Sequence, residues 1–290
     1  MDENEWLAQR FEEQRPRLRA VAYRMLGSLA EADEAVQDAY LRLSRAGTEG
    51  VENLAGWLTT IVARVCLNVL QARKSRPERP TGLRMPEPIV TPEDADPEQD
   101  VLLADSVGLA LLVVLDTLSP DERIAFVLHD LFDLPFEEIA PMVGRSPTAA
   151  RQLASRARKR VQGAAAPPDA DRARQREIVD AFFAAGRAGD FDALVRVLHP
   201  DVVLRSDVPK IGEVRGARRV ARMARLGAQQ SGSALVLPVL VNGAAGVLVV
   251  ENGRVTTLMS FRVLGGKIVE IDVITDAQRL GRIDVGSLTR

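Results

Sequence analysis

The sequence contains very little cysteine and few aromatic residues. Cys66 is the single cysteine among 290 residues, which excludes an internal disulfide framework and a zinc site built from several cysteines. Its neighbours Val65 and Leu67 are apolar, so we expect Cys66 to be a small core residue. Aromatic residues make up 4% of the chain, and both tyrosines and both tryptophans occur no later than Trp57.

The sequence also shows no long apolar run and no secretory signal. We find no apolar run of the roughly 20 residues that a membrane-spanning helix needs. Residues 1–14 are acidic and lack the apolar core of a signal peptide. These features predict a cytoplasmic protein without a membrane partner. With 46% hydrophobic and 27% charged residues, the composition is typical of a soluble globular protein.

The charges are balanced overall but segregated along the chain. The formal net charge is −2, so composition alone does not indicate a nucleic-acid-binding protein. Residues 93–105 carry six acidic residues and no basic one, whereas residues 145–160 carry six basic residues and no acidic one. This segregation predicts a basic surface on a nearly neutral protein.

The chain divides into three folded segments joined by two linkers. Residues 1–75 and 105–162 show helical periodicity, and residues 172–290 combine helix and strand patterns. Residues 76–104 form a proline-rich, acidic linker, because six prolines between Arg76 and Asp100 forbid a regular helix. Residues 163–171 form a second, shorter linker.

The first segment predicts three helices. Gly27 and Ser28 interrupt the first, and Asn53 is a suitable N-cap for the third, which runs to about Lys74. Trp57 lies on the apolar side of this third helix, which favours a core position over stacking on an unpaired base. Polar residues pointing away from that side are the better DNA candidates; they are Arg64, Asn68, Arg73 and Lys74.

The third segment predicts an α+β fold. An amphipathic helix over 172–188 precedes several runs rich in β-branched residues. The turns between these runs contain Asn242-Gly243, Asn252-Gly253 and Gly265-Gly266. Such dipeptides are typical of antiparallel hairpins, so we expect a curved antiparallel sheet with helices on it.

Residues 118–160 predict a helix-turn-helix. Gly144 supplies the turn, Ser146 is placed as N-cap of the second helix, and Pro147 suits its first position. A helix that enters the major groove needs small residues near its N-terminus and donors for bases and phosphates. Seven residues of this region meet these needs as DNA-binding candidates: Ser146, Thr148, Arg151, Gln152, Ser155, Arg156 and Lys159. A solvated basic face on a bundle helix would show a similar pattern.

This region resembles region 4 of bacterial sigma factors, which reads the −35 promoter element. Residues 31–43 resemble the part of sigma region 2 that docks on core RNA polymerase, and residues 55–76 resemble the helix that recognises and melts the −10 element. The loop 45–53 occupies the place where such factors hold a flipped −10 base. The resemblance implies an extracytoplasmic-function sigma factor whose partners are core RNA polymerase and promoter DNA. Its polymerase-binding candidates are Glu34, Asp38 and Arg42, although a solvated acidic face would look similar.

The third segment resembles a SnoaL-like cone domain, which implies the SigJ-like subgroup of these factors. The expected fold is therefore multidomain, with two all-α sigma modules and an α+β cone. The sequence RMPEP (84–88) resembles the linker motif of this subgroup. Asp207 and Lys210 match a second motif of this subgroup, and DAQRL (276–280) lies at a third. The residues expected to contact the sigma modules are Met85, Pro86, Glu87, Pro88, Asp207 and Lys210.

Two other classes of function are open at the level of sequence. A helix-turn-helix repressor with a ligand-sensing domain predicts tight duplex binding without polymerase. A SnoaL-type enzyme needs a carboxylate base and a group that stabilises an enolate, and no tyrosine lies in the third segment. His199, Asp190, Asp201 and Asp207 are the acid–base candidates that remain there, and we interpret His199 as structural. We therefore expect no catalysis, cofactor or metal, and a regulatory domain that can hold an unknown small-molecule ligand.

Overall fold

The structure is a computed structural model of the chain, and it describes residues 3–46, 53–75, 85–94, 108–162, 169, 171–230, 234–283 and 285–288. The chain forms two compact units. The helical unit comprises residues 1–79 and 111–165, and the sheet unit comprises residues 80–110 and 166–290.

Three helices form the first module of the helical unit. They are α1 (Glu3–Leu26), α2 (Leu29–Ala46) and α3 (Leu54–Ser75). Gly27 separates α1 from α2 with φ of 68°, a conformation that glycine adopts without strain. The Asn53 Oδ1 atom accepts a hydrogen bond from the Gly56 N–H at 3.0 Å, so Asn53 caps α3. Both boundaries confirm the sequence prediction.

Among the described residues, one helix, α3, is long and apolar enough to cross a membrane by length and composition. The expectation that no apolar run of this kind exists is therefore wrong. Leu58, Val62 and Leu70 of α3 are buried where it packs on α1 and α2, whereas Arg64 is exposed. Packing in the core of the module thus accounts for the apolar composition of α3.

Cys66 lies in the same core. Its side chain is fully buried, and this burial raises the pKa of the thiol to about 12. The thiolate is therefore not formed at neutral pH, as the sequence interpretation of a core residue implies.

Four helices and one π-helical turn form the second module of the helical unit. They are α4 (Leu109–Asp116), α5 (Pro120–Phe126), the π turn (Val127–Leu131), α6 (Phe136–Ile139) and α7 (Pro147–Val161). Ser119 and Glu122 form a reciprocal capping box at the start of α5. Gly144, with φ of 62°, makes the turn between α6 and α7 that the sequence predicts.

Arg123 of α5 connects the two modules. Its side chain is buried, with 3% exposure, and it donates to the Met25 carbonyl at the end of α1 at 2.7 Å. It also donates to the Leu115 carbonyl at 2.6 Å and to the Asp116 carboxylate at 2.9 Å. One guanidinium therefore binds acceptors from both modules, and its removal would take a buried hydrogen-bond donor away from the Met25 carbonyl.

The sheet unit contains one seven-stranded sheet of order β1-β4-β5-β6-β7-β2-β3. Its strands are β1 (Val90–Thr91), β2 (Leu198–Ser206), β3 (Glu213–Arg215), β4 (Leu235–Val241), β5 (Ala244–Glu251), β6 (Arg254–Leu264) and β7 (Lys267–Ile274). The three hairpins β4–β5, β5–β6 and β6–β7 turn through the Asn-Gly and Gly-Gly pairs, all with positive φ, as predicted.

One pairing in the sheet differs from the expected antiparallel pattern. Strand β2 pairs with β7 in parallel, with Leu204 opposite Ile271. The sheet is therefore mixed, and the expectation of an antiparallel sheet is wrong at this position. A long crossover through β3, helix α10 (Ala217–Gln230) and the three hairpins separates the two strands in sequence.

Part of the proline-rich linker belongs to the sheet unit. Residues 90–91 form strand β1, which pairs with β4 at the sheet edge, with Val90 opposite Val241. Next to this strand, the Ile89 N–H donates to Asn242 Oδ1 at 3.1 Å, and the Asn242 N–H donates to the Ile89 carbonyl at 2.8 Å. The sequence interpretation of this segment as linker alone missed this strand.

Helices α8 (Arg172–Ala188), α9 (Phe191–Val197) and α10 pack on one face of the sheet. Asp171 and Asp190 cap α8 and α9, because their carboxylates accept the Arg174 and Ala193 N–H groups. The core between helices and sheet is apolar and includes Phe182 and Phe261. Two short helices, α11 (Ala277–Leu280) and α12 (Val285–Leu288), follow β7. This arrangement is the α+β cone that the SnoaL-like resemblance implies.

Candidate nucleic-acid interface

Helix α7 presents one polar face to solvent and one small-residue face to the module core. Ser146 Oγ accepts the Ala149 N–H at 3.2 Å, and Pro147 occupies the first turn, as predicted. Ala150, Leu153 and Ala157 are buried. The exposed members of the predicted DNA-binding set are Ser146, Thr148, Arg151, Gln152, Ser155, Arg156 and Lys159. The helix therefore offers a continuous polar face with donors at its N-terminal end, the geometry that major-groove contact requires.

Several arginines of α7 are held by groups of the same module. The guanidinium carbon of Arg151 lies over the Phe136 ring at 5.2 Å from its centroid, a cation–π contact, and the residue is exposed. Arg158 pairs with Asp130, and Arg160 pairs with Glu122 at 3.1 Å. These pairs orient the basic side chains but also compete with phosphate for them.

Glu122 has a double role at the base of α7. Burial alone would raise the pKa of its carboxyl group, but hydrogen bonds from Ser119 and the charges of Arg160 and Arg156 outweigh burial and lower it. The carboxylate is therefore charged at neutral pH and holds the C-terminal end of α7 against the start of α5.

The candidates on α3 separate into two groups. Arg64, Asn68 and Lys74 are exposed, as expected. Arg73 is half-buried: it forms an ion pair with Glu31 and donates to the Leu26 carbonyl at 3.2 Å. The sequence prediction grouped Arg73 with the other three as a DNA candidate pointing away from the apolar side of the helix, and this role stays a prediction, with Glu31 on α2 as the ion-pair partner of Arg73 in the structure. Trp57 is half-buried.

The acidic residues of α2 differ in whether they form ion pairs and with which partner. Glu31 forms an ion pair with Arg73, and the Asp33 carboxylate accepts a hydrogen bond from Arg19 at 2.6 Å. Glu34 is exposed, and Asp38 forms an exposed pair with Arg42 at 2.9 Å. Most of the loop 45–53, the predicted place of a flipped base, lies outside the described residues.

The residues expected to contact the sigma modules make defined contacts inside the sheet unit. Met85 is buried, the Pro86 carbonyl accepts from Arg279, and Glu87 pairs with Arg282 at 3.4 Å. Pro88 is half-buried.

Asp207 and Lys210 follow strand β2. The Asp207 carboxylate accepts the Thr275 N–H and hydroxyl at 2.9 and 2.8 Å, so it ties the end of β2 to the end of β7. Lys210 is exposed. Arg84, the first residue of the linker motif, lies outside the described residues.

The cone encloses an apolar cavity of about 280 Å³. Its walls come from α8, α10 and the inner face of the sheet, with Phe182, Phe183 and Met259 among them. The polar side chains among its described lining residues are Arg187, Ser206 and Thr257, and no carboxylate is among them. The sequence analysis did not locate this cavity, because its wall residues come from seven helices and strands spread over residues 182–273.

A buried ion cluster lies on the same strands as the cavity. Arg205 donates to Asp272 at 3.2 Å and to Glu270 at 3.1 Å, and Glu270 also accepts from Arg262 at 2.8 Å. Burial raises the pKa of Asp272 to about 6, assisted by the charge of Glu270 and opposed by that of Arg205.

The ion cluster does not face the cavity. Arg205 and Asp272 alternate along their strands with Leu204, Ser206 and Val273, which line the cavity. Successive strand residues point to opposite faces of a sheet, so the cluster lies on the face away from the cavity. The described acid–base groups of this cluster are therefore not placed to act on a molecule inside the cone.

Comparison with known proteins agrees with the two helical modules. Residues 10–76 match the family Sigma-70 region 2, and residues 108–161 match the family Sigma-70, region 4. The chain belongs to the extracytoplasmic-function RNA polymerase sigma factors, which bind core RNA polymerase and direct it to promoters.

Particular relatives have the same organisation. The chain is 44% identical over 220 residues to the ECF RNA polymerase sigma factor SigJ of Mycobacterium tuberculosis, which covers 73% of this chain and 70% of that protein. It is 33% identical over 261 residues to the probable ECF sigma factor SigI of the same species, covering 90% of each. The crystal structure of M. tuberculosis SigJ superposes with a TM-score of 0.75 at 36% identity, over 94% of this chain and 98% of that one.

Proposed function

We propose that the polar face of α7 reads the −35 element, with Arg151 and Gln152 at base edges. Both are exposed in the N-terminal half of α7, where a recognition helix contacts bases. The remaining candidates, Ser146, Thr148, Ser155, Arg156 and Lys159, contact the sugar–phosphate backbone or closely approaching bases. One observation above others supports this role of α7: the capped helix carries all of these side chains on one exposed face.

The first module supplies the −10 and polymerase contacts in this proposal. Arg64, Asn68 and Lys74 on the exposed side of α3 contact the −10 element, and Arg73 acts on the DNA only if it leaves Glu31. Glu34, Asp38 and Arg42 on α2 contact core polymerase, because they form its exposed charged edge. These contacts take place in the cytoplasm, where RNA polymerase acts.

Run-off transcription with purified core polymerase tests this function. The full chain should direct promoter-dependent initiation from templates of its own genome, and it should bind the same promoters poorly without polymerase. A triple variant, Glu34→Ala/Asp38→Ala/Arg42→Ala, should lose affinity for core polymerase while α7 still folds. Absence of any promoter-dependent product from the wild-type chain would refute the proposal.

The sheet unit regulates the sigma modules through the connecting chain. Residues 85–94 link the two modules in sequence, and strand β1 within them is hydrogen-bonded to β4 of the sheet unit. Docking of residues 85–94 thus limits the separations that the modules can reach, and a change in docking shifts the population of the active arrangement.

The sheet unit is a binding and regulatory domain rather than an enzyme. The cavity has apolar walls, so its ligand is a compact apolar molecule with a polar group near Ser206 or Thr257. Binding of the fluorescent probe 1-anilinonaphthalene-8-sulfonate to the full chain tests this use of the cavity. Met223→Trp should fill the cavity and abolish the fluorescence increase, whereas the exposed Leu235→Trp should retain it.

A further inference from the structure

Helix α10 of the sheet unit carries a cluster of arginines on its outer side. Arg218, Arg219 and Arg222 are exposed, and Arg225 is half-buried on the same side. At 100° per residue these four positions occupy one continuous face of the helix. We call them the α10 arginine face. The sequence of α10, ARRVARMARLGAQQ, contains no acidic residue.

The opposite side of α10 packs into the hydrophobic core of the sheet unit. Val220 and Ala221 are fully buried in the core, and Ala217 is 8% exposed. A basic amphipathic helix that binds a lipid surface must insert its apolar side, and here that side is not available. The exposed side of α10 therefore consists of the arginines with one apolar residue among them, Leu226 at 48% exposure, and this excess of positive charge favours an anionic partner.

The charges of the α10 arginine face are not neutralised within the described part of the chain. Arg218, Arg219 and Arg222 form no ion pair there, although Arg218 lies over the Phe191 ring at 5.3 Å. The two adjoining elements carry no net charge, because each has one acidic and one basic residue. These are Glu213 and Arg215 in β3, and Asp192 and Arg196 in α9. The net local charge is thus that of the α10 arginines themselves.

The arginines border a surface depression with apolar walls. Its lining residues include the arginines Arg215, Arg218 and Arg219 and the apolar residues Val195, Leu198 and Pro200. Its volume is about 430 Å³. Guanidinium groups beside a small apolar wall suit a sugar–phosphate backbone, which alternates charged phosphates with less polar deoxyribose.

We propose that the α10 arginine face is a DNA-binding surface that contacts the phosphate backbone of the promoter. This inference rests on the proposed function, because α7 must bring the chain to DNA. Asp171, the N-cap of α8, comes ten positions after Val161, at the end of α7. An extended chain of that length spans at most about 35 Å. A connection of this length permits the sheet unit to approach the DNA that α7 binds.

The spacing of the arginines suits this partner. Arg218 and Arg225 are seven residues apart, which corresponds to about 10 Å along a helix axis. DNA carries one phosphate per strand for about every 3.4 Å of its axis, so the face can reach two or three phosphates. Phosphate contacts carry no sequence information, so the surface adds affinity at every promoter without changing which one is chosen.

The experiment compares two charge-matched variants in holoenzyme assembled from the full chain and core polymerase. Arg219→Gln/Arg222→Gln removes two charges from the α10 arginine face and leaves Arg218 on its ring. Arg174→Gln/Arg254→Gln removes two exposed charges elsewhere in the sheet unit. Affinity for a promoter active in run-off transcription is measured between 50 and 200 mM salt, together with affinity for core polymerase and for vesicles containing phosphatidylglycerol.

The first variant should reduce the slope of log affinity against log salt by about 2, because each lost contact contributes about 0.9. The affinity lost between 50 and 200 mM salt should then be roughly tenfold smaller than for wild type. The control variant should keep the wild-type slope, and neither variant should change affinity for core polymerase.

Three results would overturn the inference. Equal slopes for wild type and both variants would show that the α10 arginines do not touch DNA. Weaker binding of core polymerase by the first variant alone would assign the surface to a protein partner, and vesicle binding lost by that variant with an unchanged slope would assign it to lipid. If the wild-type chain yields no run-off product, the proposed function fails instead. The comparison of salt slopes, repeated with the full chain on non-specific duplex DNA, would then still test whether the α10 arginine face contacts DNA.

Discussion

At the scale of single residues, Arg123 is the side chain on which the packing of the two modules depends. It is buried and donates hydrogen bonds to two backbone carbonyls and one carboxylate. Arg123→Met keeps most of the side-chain volume but removes the donors to the Met25 carbonyl and to the partly exposed Asp116, so it should cost about 1–3 kcal/mol of unfolding free energy. Urea unfolding followed by circular dichroism measures this loss.

The control for Arg123 is Arg42→Met, which breaks the exposed pair with Asp38. Such pairs contribute about 1 kcal/mol or less, so this variant should unfold close to wild type. Equal unfolding midpoints for Arg123→Met and wild type would contradict the role assigned to Arg123.

The buried Asp272 predicts an unusual pH dependence. Its pKa of about 6 is above the ordinary value of 3.8, so between these values the folded chain binds more protons than the unfolded one. Its contribution to stability is therefore present at low pH and is lost as pH rises through about 6. Asp272→Asn removes this dependence, so the stability of wild type relative to the variant should fall from pH 4.5 to pH 7.

Urea unfolding of both proteins across this pH range gives the difference directly. Asp192→Asn, at an exposed position on α9, provides the comparison for a change of charge without burial. Parallel stability curves for wild type and Asp272→Asn would show that Asp272 is not protonated preferentially in the folded chain.

The residue-level predictions from sequence succeeded where local periodicity decides the environment. The exposed and buried faces of α7 follow from spacing along one helix, and both were predicted. The ion pair of Arg73 was not predicted, because its partner Glu31 lies 42 residues away and periodicity contains no information on it. The same limit explains why the Arg205–Asp272 pair, 67 residues apart, was not foreseen.

At the scale of elements, α7 should separate base readout from backbone contact. Arg151→Ala and Gln152→Ala should each cost about 1–3 kcal/mol of promoter binding and act at one position of the −35 element. Lys159→Ala should weaken all promoters and reduce the salt dependence by about one contact. Holoenzyme binding to a set of single-base −35 variants measures both effects.

Arg158→Ala should behave like Lys159→Ala but with a smaller effect, because Arg158 already pairs with Asp130 in the free chain. Equal losses from the Arg151, Gln152, Arg158 and Lys159 variants at every −35 sequence would show that α7 is not the reading helix.

Elements joined by short turns were predictable, and elements joined by long crossovers were not. The hairpins β4–β5, β5–β6 and β6–β7 are encoded locally, since Asn-Gly and Gly-Gly pairs favour the positive φ that such turns need. The parallel pairing of β2 with β7 has no local signal. Strand β1 was missed because prolines surround a two-residue strand whose partner lies about 150 residues away.

At the scale of the whole molecule, residues 85–94 of the segment between the sigma modules belong to the sheet unit. Residues 85–94 are anchored by Asn242, Arg279 and Arg282 of the sheet unit. Deleting residues 169–290 would therefore remove a binding partner of the connecting segment as well as a domain. A point substitution at the docking site tests regulation more cleanly than truncation.

Asn242→Gly is that substitution. Asn242 has φ of 50° in the β4–β5 turn, so glycine preserves the turn but removes the Oδ1 atom that accepts the Ile89 N–H. Asn252→Gly is the matched control, because Asn252 has φ of 51° in the β5–β6 turn. Limited proteolysis within 85–94 should accelerate for Asn242→Gly alone, and run-off transcription should change several-fold in one direction.

The direction of the change distinguishes two mechanisms. An increase means that docking of residues 85–94 restrains the modules from the separation that polymerase needs, and a decrease means that docking holds them near it. Both asparagines have positive φ at the first position of their turns, so the effect of glycine on that backbone conformation appears in Asn252→Gly as well and can be subtracted, although Asn242 is buried and Asn252 is exposed. Faster proteolysis of Asn242→Gly with unchanged transcription would show that docking of the linker does not regulate the factor, and the sheet unit would then act independently of the connection between the modules.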